Sequence, residues 1–117
     1  MIAEMPGEKP QISYDDFAKL DMRIGTVVAA ELVPDTDKLI RCSVSFGELG
    51  KRTIVSGIAE WKSPSDLIGK QFPYVVNLAP RIIRGIASEG MILAVRAKDG
   101  ILLLNPDGEA EPGAKIS

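Results

Sequence analysis

The sequence contains no histidine, one cysteine (Cys42) and few aromatic residues: 3 Phe, 2 Tyr and 1 Trp in 117 positions. Without histidine there is no Ser-His or Cys-His nucleophile pair, no imidazole metal ligand and no imidazole proton shuttle. A single cysteine forms neither an internal disulfide nor a thiolate zinc cage, which fits a reducing compartment. No apolar run reaches the roughly 18 residues that would cross a bilayer. Met1 to Pro10 holds no hydrophobic stretch of the secretory kind, so cytoplasm is the expected location. The scarcity of aromatics argues against an extended groove of stacked bases. These absences point to a non-enzymatic binding protein with neither cofactor nor metal.

What is present describes one folded domain. The chain is 45% hydrophobic and 26% charged, ordinary for a protein with a core. Its 11 Gly and 8 Pro favour many turns and short elements over a helical bundle. The net charge of −2 conceals an asymmetry, because residues 1–18 and 99–117 together take eight of the 16 acidic residues but two of the 14 basic ones. The 19–98 segment is left with 12 basic against 8 acidic residues, an excess of +4. Exposed charges act over roughly 8–10 Å at physiological salt, so local sign matters more than the sum.

Along the chain, residues 1–12 are polar with two prolines and read as a loosely draped segment ahead of a domain over 13–117. Ser13 and Asp16 have capping-box spacing at the start of a helix over 14–20, whose Phe17 and Leu20 share one face. Met22 to Leu32 is the first strand, with Gly25 marking a bulge or sharp coil. Leu39 to Phe46 alternates, placing Ile40, Cys42, Val44 and Phe46 on a buried face and Arg41, Ser43 and Ser45 outside. Lys51 to Ser56 returns as a third strand. Ser63-Pro64-Ser65-Asp66 starts a short helical turn over 63–68. Phe72 to Leu78 and Met91 to Val95 are the fourth and fifth strands, joined by a connecting segment over 79–88. Ile101 to Leu104 is a sixth short strand before a Pro/Gly/acidic extension. Five principal strands with a small helix between the third and fourth predict an all-β, five-stranded OB-fold Greek-key barrel with short helices and a C-terminal extension.

Several local patterns carry no chemistry. Gly50-Lys51-Arg52 and Gly69-Lys70-Gln71 lack the rest of a phosphate-binding loop, and Asp35-Thr36-Asp37 lacks the Gly and Glu of a calcium loop. Cys42 reads as core packing and Trp61 as a packing anchor rather than a stacking platform. The basic residues carry more. Lys38 and Arg41 flank the start of the second strand, and Arg81 and Arg84 lie in a segment that also holds Asn77 and Ser88. Arginine donates two parallel hydrogen bonds to phosphate, and Asn and Ser orient sugar or phosphate without reading a base. A nucleic acid held this way would be recognised by folded shape and phosphate.

Four separated motifs resemble the tRNA-binding OB domain family: Phe17 to Gly25, Pro34 to Leu39, Thr53 to Ala59 and, most tellingly, Val76 to Met91. The resemblance covers roughly residues 14–117. The family includes the C-terminal domain and the free-standing beta subunit of methionyl-tRNA synthetase, stand-alone tRNA-binding proteins and the secretion chaperone CsaA. It implies a homodimer that recognises the bent corner of tRNA by shape, alone or with a methionyl-tRNA synthetase catalytic chain. Carried over by position, the tRNA-binding residues would be Lys38, Arg41, Asn77, Arg81, Arg84, Ser88 and Met91. Ala79 and Val33 stand where many members have a basic residue and a histidine. A CsaA-like chaperone that binds unfolded polypeptide is the alternative, and Gly90-Met91 resembles the synthetase branch instead. Ile101 to Leu104 and the tail are candidates for either a dimer surface or the monomer core.

Overall fold

In the computed structural model, which describes residues 7–117, the alternation of the second strand is realised as the inner wall of a barrel. Ile40, Cys42, Val44 and Phe46 are each 5% exposed or less, while Arg41 faces out. The strands are β1 (Met22–Leu32), β2 (Ile40–Ser45), β3 (Lys51–Ser56), β4 (Gln71–Val75), β5 (Arg81–Ile83), β6 (Ile86–Ser88), β7 (Met91–Ile92), β8 (Ala94–Ala97), β9 (Gly100–Leu103) and β10 (Lys115–Ile116). The main sheet runs β3-β2-β1-β4-β7, with β10 paired to β1 and all pairings antiparallel. Glu89 N–H donates to the Thr53 carbonyl at 2.8 Å and draws the ends of this sheet toward closure. The expected OB-type barrel is the fold observed.

The core lies inside it, built from residues that include Ile54, Leu67, Phe72 and Tyr74. Phe46 and Tyr74 meet edge to face at 5.5 Å, a geometry favoured by ring quadrupoles. Burial pushes the Cys42 thiol up to about 11, so it stays a neutral packing group at physiological pH.

The bulge in β1 falls between Val27 and Ala29 rather than at Gly25. Gly25 serves a steric purpose instead. A Cβ there would sit 2.4 Å from Val44 Cγ1 and 2.7 Å from Phe46 Cε1, so its absence lets the core close over the strand.

The helical signals are shorter than expected but correctly capped. Helix α1 (Tyr14–Ala18) begins with Asp16 N–H donating to Ser13 Oγ at 3.2 Å and Ser13 N–H to the Asp16 carboxylate at 3.4 Å. It buries no residue, and Phe17 and Leu20 stay about 40% exposed (39% and 42%). Pro64–Asp66 is a single 3-10 turn. Its Asp66 carboxylate accepts from Ser63 N–H and Oγ–H, which holds it below the usual carboxylate range. The loose segment expected over 1–12 falls outside the described residues at 1–6, and 8–13 belong to no helix or strand.

Two expectations differ from the structure. The segment over 79–88 is a hairpin, β5–β6, with Ile83 facing Ile86 across a two-residue turn. The fifth strand breaks at Leu93, whose N–H turns back to the Pro73 carbonyl at 2.9 Å. The chain then leaves the sheet as the β8–β9 hairpin. The C-terminal extension, left open between a dimer surface and the monomer core, is a strap laid on the barrel. Gln71 clamps Ala110 through both its amide oxygen and nitrogen, at 2.9 and 2.6 Å. Gly113 N–H then donates to the Ile24 carbonyl at 2.7 Å, and β10 follows along β1. Gly113 has φ +90° and lies so close to Phe46 that a Cβ would fall 2.3 Å from its carbonyl oxygen.

These contacts set a stability test. Gly25→Ala overpacks the core and should cost about 1–3 kcal/mol, whereas Gly57→Ala, with nothing within 4 Å of the added methyl, should change stability by less than about 0.5 kcal/mol. Urea denaturation of the two variants measures the contrast.

Candidate nucleic-acid interface

In a barrel of this order, the face of the second and third strands, with the loops after the first and fourth, is the surface that binds oligonucleotides and oligosaccharides. Here those loops are residues 33–39 and the long connection 76–90, which contains the β5–β6 hairpin. Backbone bonds tie them to the barrel. Ala59 N–H donates to the Lys38 carbonyl at 3.1 Å, and the Glu89–Thr53 bond sets β6 against β3.

Lys38 ends the first loop and is exposed, and Arg41 follows on the outer side of β2, opposite Glu31 of β1. A shallow depression of about 430 Å³ lies beside Arg41, floored by the small side chains Ala29, Ala30, Ser43 and Thr53. Arg81 opens β5, and Arg84 occupies the hairpin tip. Arg84 and Gly85 have φ of +52° and +77°, the mirror-image two-residue turn that matches strand twist. A non-glycine residue held in that region carries about 1–3 kcal/mol of strain, a cost that clusters at functional positions. Met91 is exposed on β7.

Among the described residues, the side chains of Lys38, Arg41, Arg81 and Arg84 form no ion pair and no hydrogen bond. Other basic groups are engaged internally. Arg23 pairs with Asp21 at 2.8 Å and donates to the Gly113 carbonyl at 3.1 Å.

Asn77 and Ser88 lie at the two roots of the hairpin, with their polar atoms already in use. Asn77 Oδ1 accepts from Asp21 N–H at 2.8 Å and Nδ2 donates to the Lys19 carbonyl at 2.6 Å, fastening residues 56 and 58 positions away. Ser88 is 4% exposed, and its hydroxyl accepts from Val55 N–H at 3.0 Å and donates to the Gly90 carbonyl at 3.3 Å. The fold therefore gathers Lys38, Arg41, Arg81 and Arg84 on neighbouring elements as open cations, buries Ser88, and leaves Asn77 exposed with its amide bonded to the backbone of Lys19 and Asp21.

One residue here escaped sequence reasoning. Arg52, on β3, donates to the Val76 carbonyl and, at 3.5 Å, to that of Glu89. The signal was its parity: Arg52 shares the inward side of its strand with Ile54, where a cation must find acceptors within the protein. Trp61 lies against the backbone of Gly100, where a Cβ would meet the indole at 2.6 Å, and it stays 45% exposed. Among the described residues no group of three His, Cys, Asp or Glu could hold a metal ion, and no helix is long and apolar enough to cross a membrane.

Barrel order, open cations on the face such barrels present to nucleic acid and an arginine-bearing hairpin in the fourth connection fit a nucleic-acid-binding OB-type domain. The family model described as "Putative tRNA binding domain" matches residues 22–115, and the chain belongs to that family. Methionine–tRNA ligase of Flavobacterium psychrophilum is 53% identical over 110 residues, covering 91% of this chain and 16% of the ligase. The ligase of Thermotoga maritima is 44% identical across the whole chain, which covers 18% of its length. The chain thus spans about one-sixth of the ligases it matches, as a non-catalytic binding domain.

Solved structures give the same family. A MetRS related protein from Pyrococcus horikoshii superposes with a TM-score of 0.87 at 38% identity, covering 93% of this chain and all of that one. The chaperone CsaA from Bacillus anthracis superposes at 0.83 and 39%, covering 92% of this chain and all of that one.

Ser88→Ala would leave the buried Val55 N–H without its acceptor and should cost about 1–3 kcal/mol, measured by urea denaturation. Stability equal to wild type would show that this N–H finds another partner.

Proposed function

We propose that this domain holds folded tRNA by phosphate capture and shape matching on a face formed by Lys38, Arg41, Arg81 and Arg84. The observation that carries this reading is that all four side chains are exposed and, among the described residues, without internal partners, on elements a barrel of this type presents to nucleic acid. Met91 supplies an adaptable apolar contact at the edge. Asn77 and Ser88 serve the same surface from beneath by bracing the hairpin. The small number of aromatics favours reading of shape at the tRNA corner over stacking on bases.

The domain acts in the cytoplasm as a homodimer, alone or beside a methionyl-tRNA synthetase catalytic chain. Ile101 and Leu103 pack against the core while Leu102 and Leu104 stay 56% and 41% exposed, which supports a second copy seated on that outer edge. Doubling a weak site in this way raises the effective concentration of contacts on one RNA. The likeness to the chaperone CsaA supports a second reading, binding of unfolded polypeptide, and the identity to methionine–tRNA ligases favours tRNA.

Four phosphate contacts should give a log–log salt slope of about −3, from about 0.7–0.9 per contact. Filter binding of mixed tRNA across a salt series measures it, and a flat response would exclude phosphate capture. Arg81→Ala with Arg84→Ala should weaken binding at least about tenfold and flatten the slope by about 2 while the thermal melt is kept. Displacement of tRNA by an unfolded polypeptide at lower concentration than by competing tRNA would favour the chaperone reading. Light scattering should give twice the chain mass, falling to one chain in Leu102→Glu/Leu104→Glu.

A further inference from the structure

We propose that Arg52 is a positioning residue, whose guanidinium fastens both roots of the β5–β6 hairpin and thereby sets where Arg81 and Arg84 point. Val76 is the first residue after β4, and Glu89 is the first after β6. Arg52 Nη1 donates to the carbonyls of both, which lie 24 and 37 residues from it in sequence. Among the described residues it is the one side chain bonded to both roots. Asn77 braces only the first, and Ser88 only the second. The Glu89 carboxylate does not neutralise Arg52, because it accepts instead from Thr53 N–H at 3.2 Å.

The hairpin needs such a clamp. Its strands are three residues each, Ile82 is 71% exposed, and a lone two-stranded hairpin is marginal in water. Its direction is therefore set at the roots and where β6 lies against β3 rather than by pairing within the hairpin. A guanidinium suits the task because its planar donors reach two acceptors from one fixed position, whereas an ammonium on a flexible stem does not fix their separation. A nearby cation that touched tRNA directly would act independently of the hairpin; one that clamps the roots acts only through it.

The consequence for binding rests on the tRNA reading above, so the test has two readouts, one of which involves no RNA. The first is trypsin cleavage after Arg84, followed by mass spectrometry, in wild type, Arg52→Met and Arg52→Lys. Both variants should be cut at least about fivefold faster there, since loosened roots raise the open population. Wild-type rates in folded variants would overturn the clamp. Should the Met variant fail to fold by circular dichroism, the Lys variant, which keeps the charge and loses the fork, decides.

The second readout is tRNA affinity in a double-mutant cycle. Arg52→Met should weaken binding on the order of tenfold in the wild-type background and less than about twofold when Arg81 and Arg84 are already alanine. An equal loss in both backgrounds would make Arg52 a direct contact and overturn the proposal. If Arg81→Ala/Arg84→Ala binds tRNA as wild type does, the tRNA face is refuted, while the cleavage rates still decide the clamp.

Discussion

The fold depends on β1 being shared. Its eleven residues pair with β4 over Met22–Thr26, with β2 over Thr26–Leu32 and with β10 at Met22–Arg23, and Thr26 stands in both of the longer ladders. A strand that serves two neighbours in succession must coil, and the bend falls where Gly25 leaves room for Val44 and Phe46 to close down. A flat β1 would leave the sheet open, with Phe46 and Tyr74 unburied. Because it coils, the far edge of the sheet returns, Glu89 reaches Thr53, and the connection from 76 to 90 is pinned at both ends.

From that closure follows a division of labour among the basic residues. Arg23 and Arg52 are turned into the structure, the first onto Asp21 and the C-terminal strap, the second onto the carbonyls at the hairpin roots. Lys38, Arg41, Arg81 and Arg84 are left in solvent with their hydrogen-bonding capacity unspent. A net charge of −2 says little about such a surface, since eight of the 16 acidic residues lie in the two ends of the chain. A surface of guanidinium and ammonium groups suits a polyanion better than an apolar segment of unfolded chain.

Much of the barrel was legible because its causes are short-range. The period-two pattern from Ile40 to Phe46 marked which face is buried, and Ser13 with Asp16 marked a helix start that the backbone adopts. Lys38, Arg41, Arg81 and Arg84 could be nominated from their positions and from the family resemblance, whereas residue type alone does not separate them from Arg23 and Arg52. Arg84-Gly85 between two apolar pairs is a hairpin signal of the X-Gly kind, weakened by flanking strands only three residues long. Asn77 and Ser88 carried the right residue types for ligand contacts, yet nothing local distinguishes a hydroxyl aimed at solvent from one aimed at Val55 N–H.

The sequence by itself determined the strand pattern, the caps, the apolar lining and the positive middle of the chain, each written in residues a few positions apart. Tertiary structure alone decided the strap laid along β1 and the internal hydrogen bonds that engage Asn77, Ser88 and Arg52. Those outcomes rest on hydrogen bonds between residues 24 to 90 positions apart. A donor or acceptor has no preference among distant partners until chain closure puts one of them within about 3 Å.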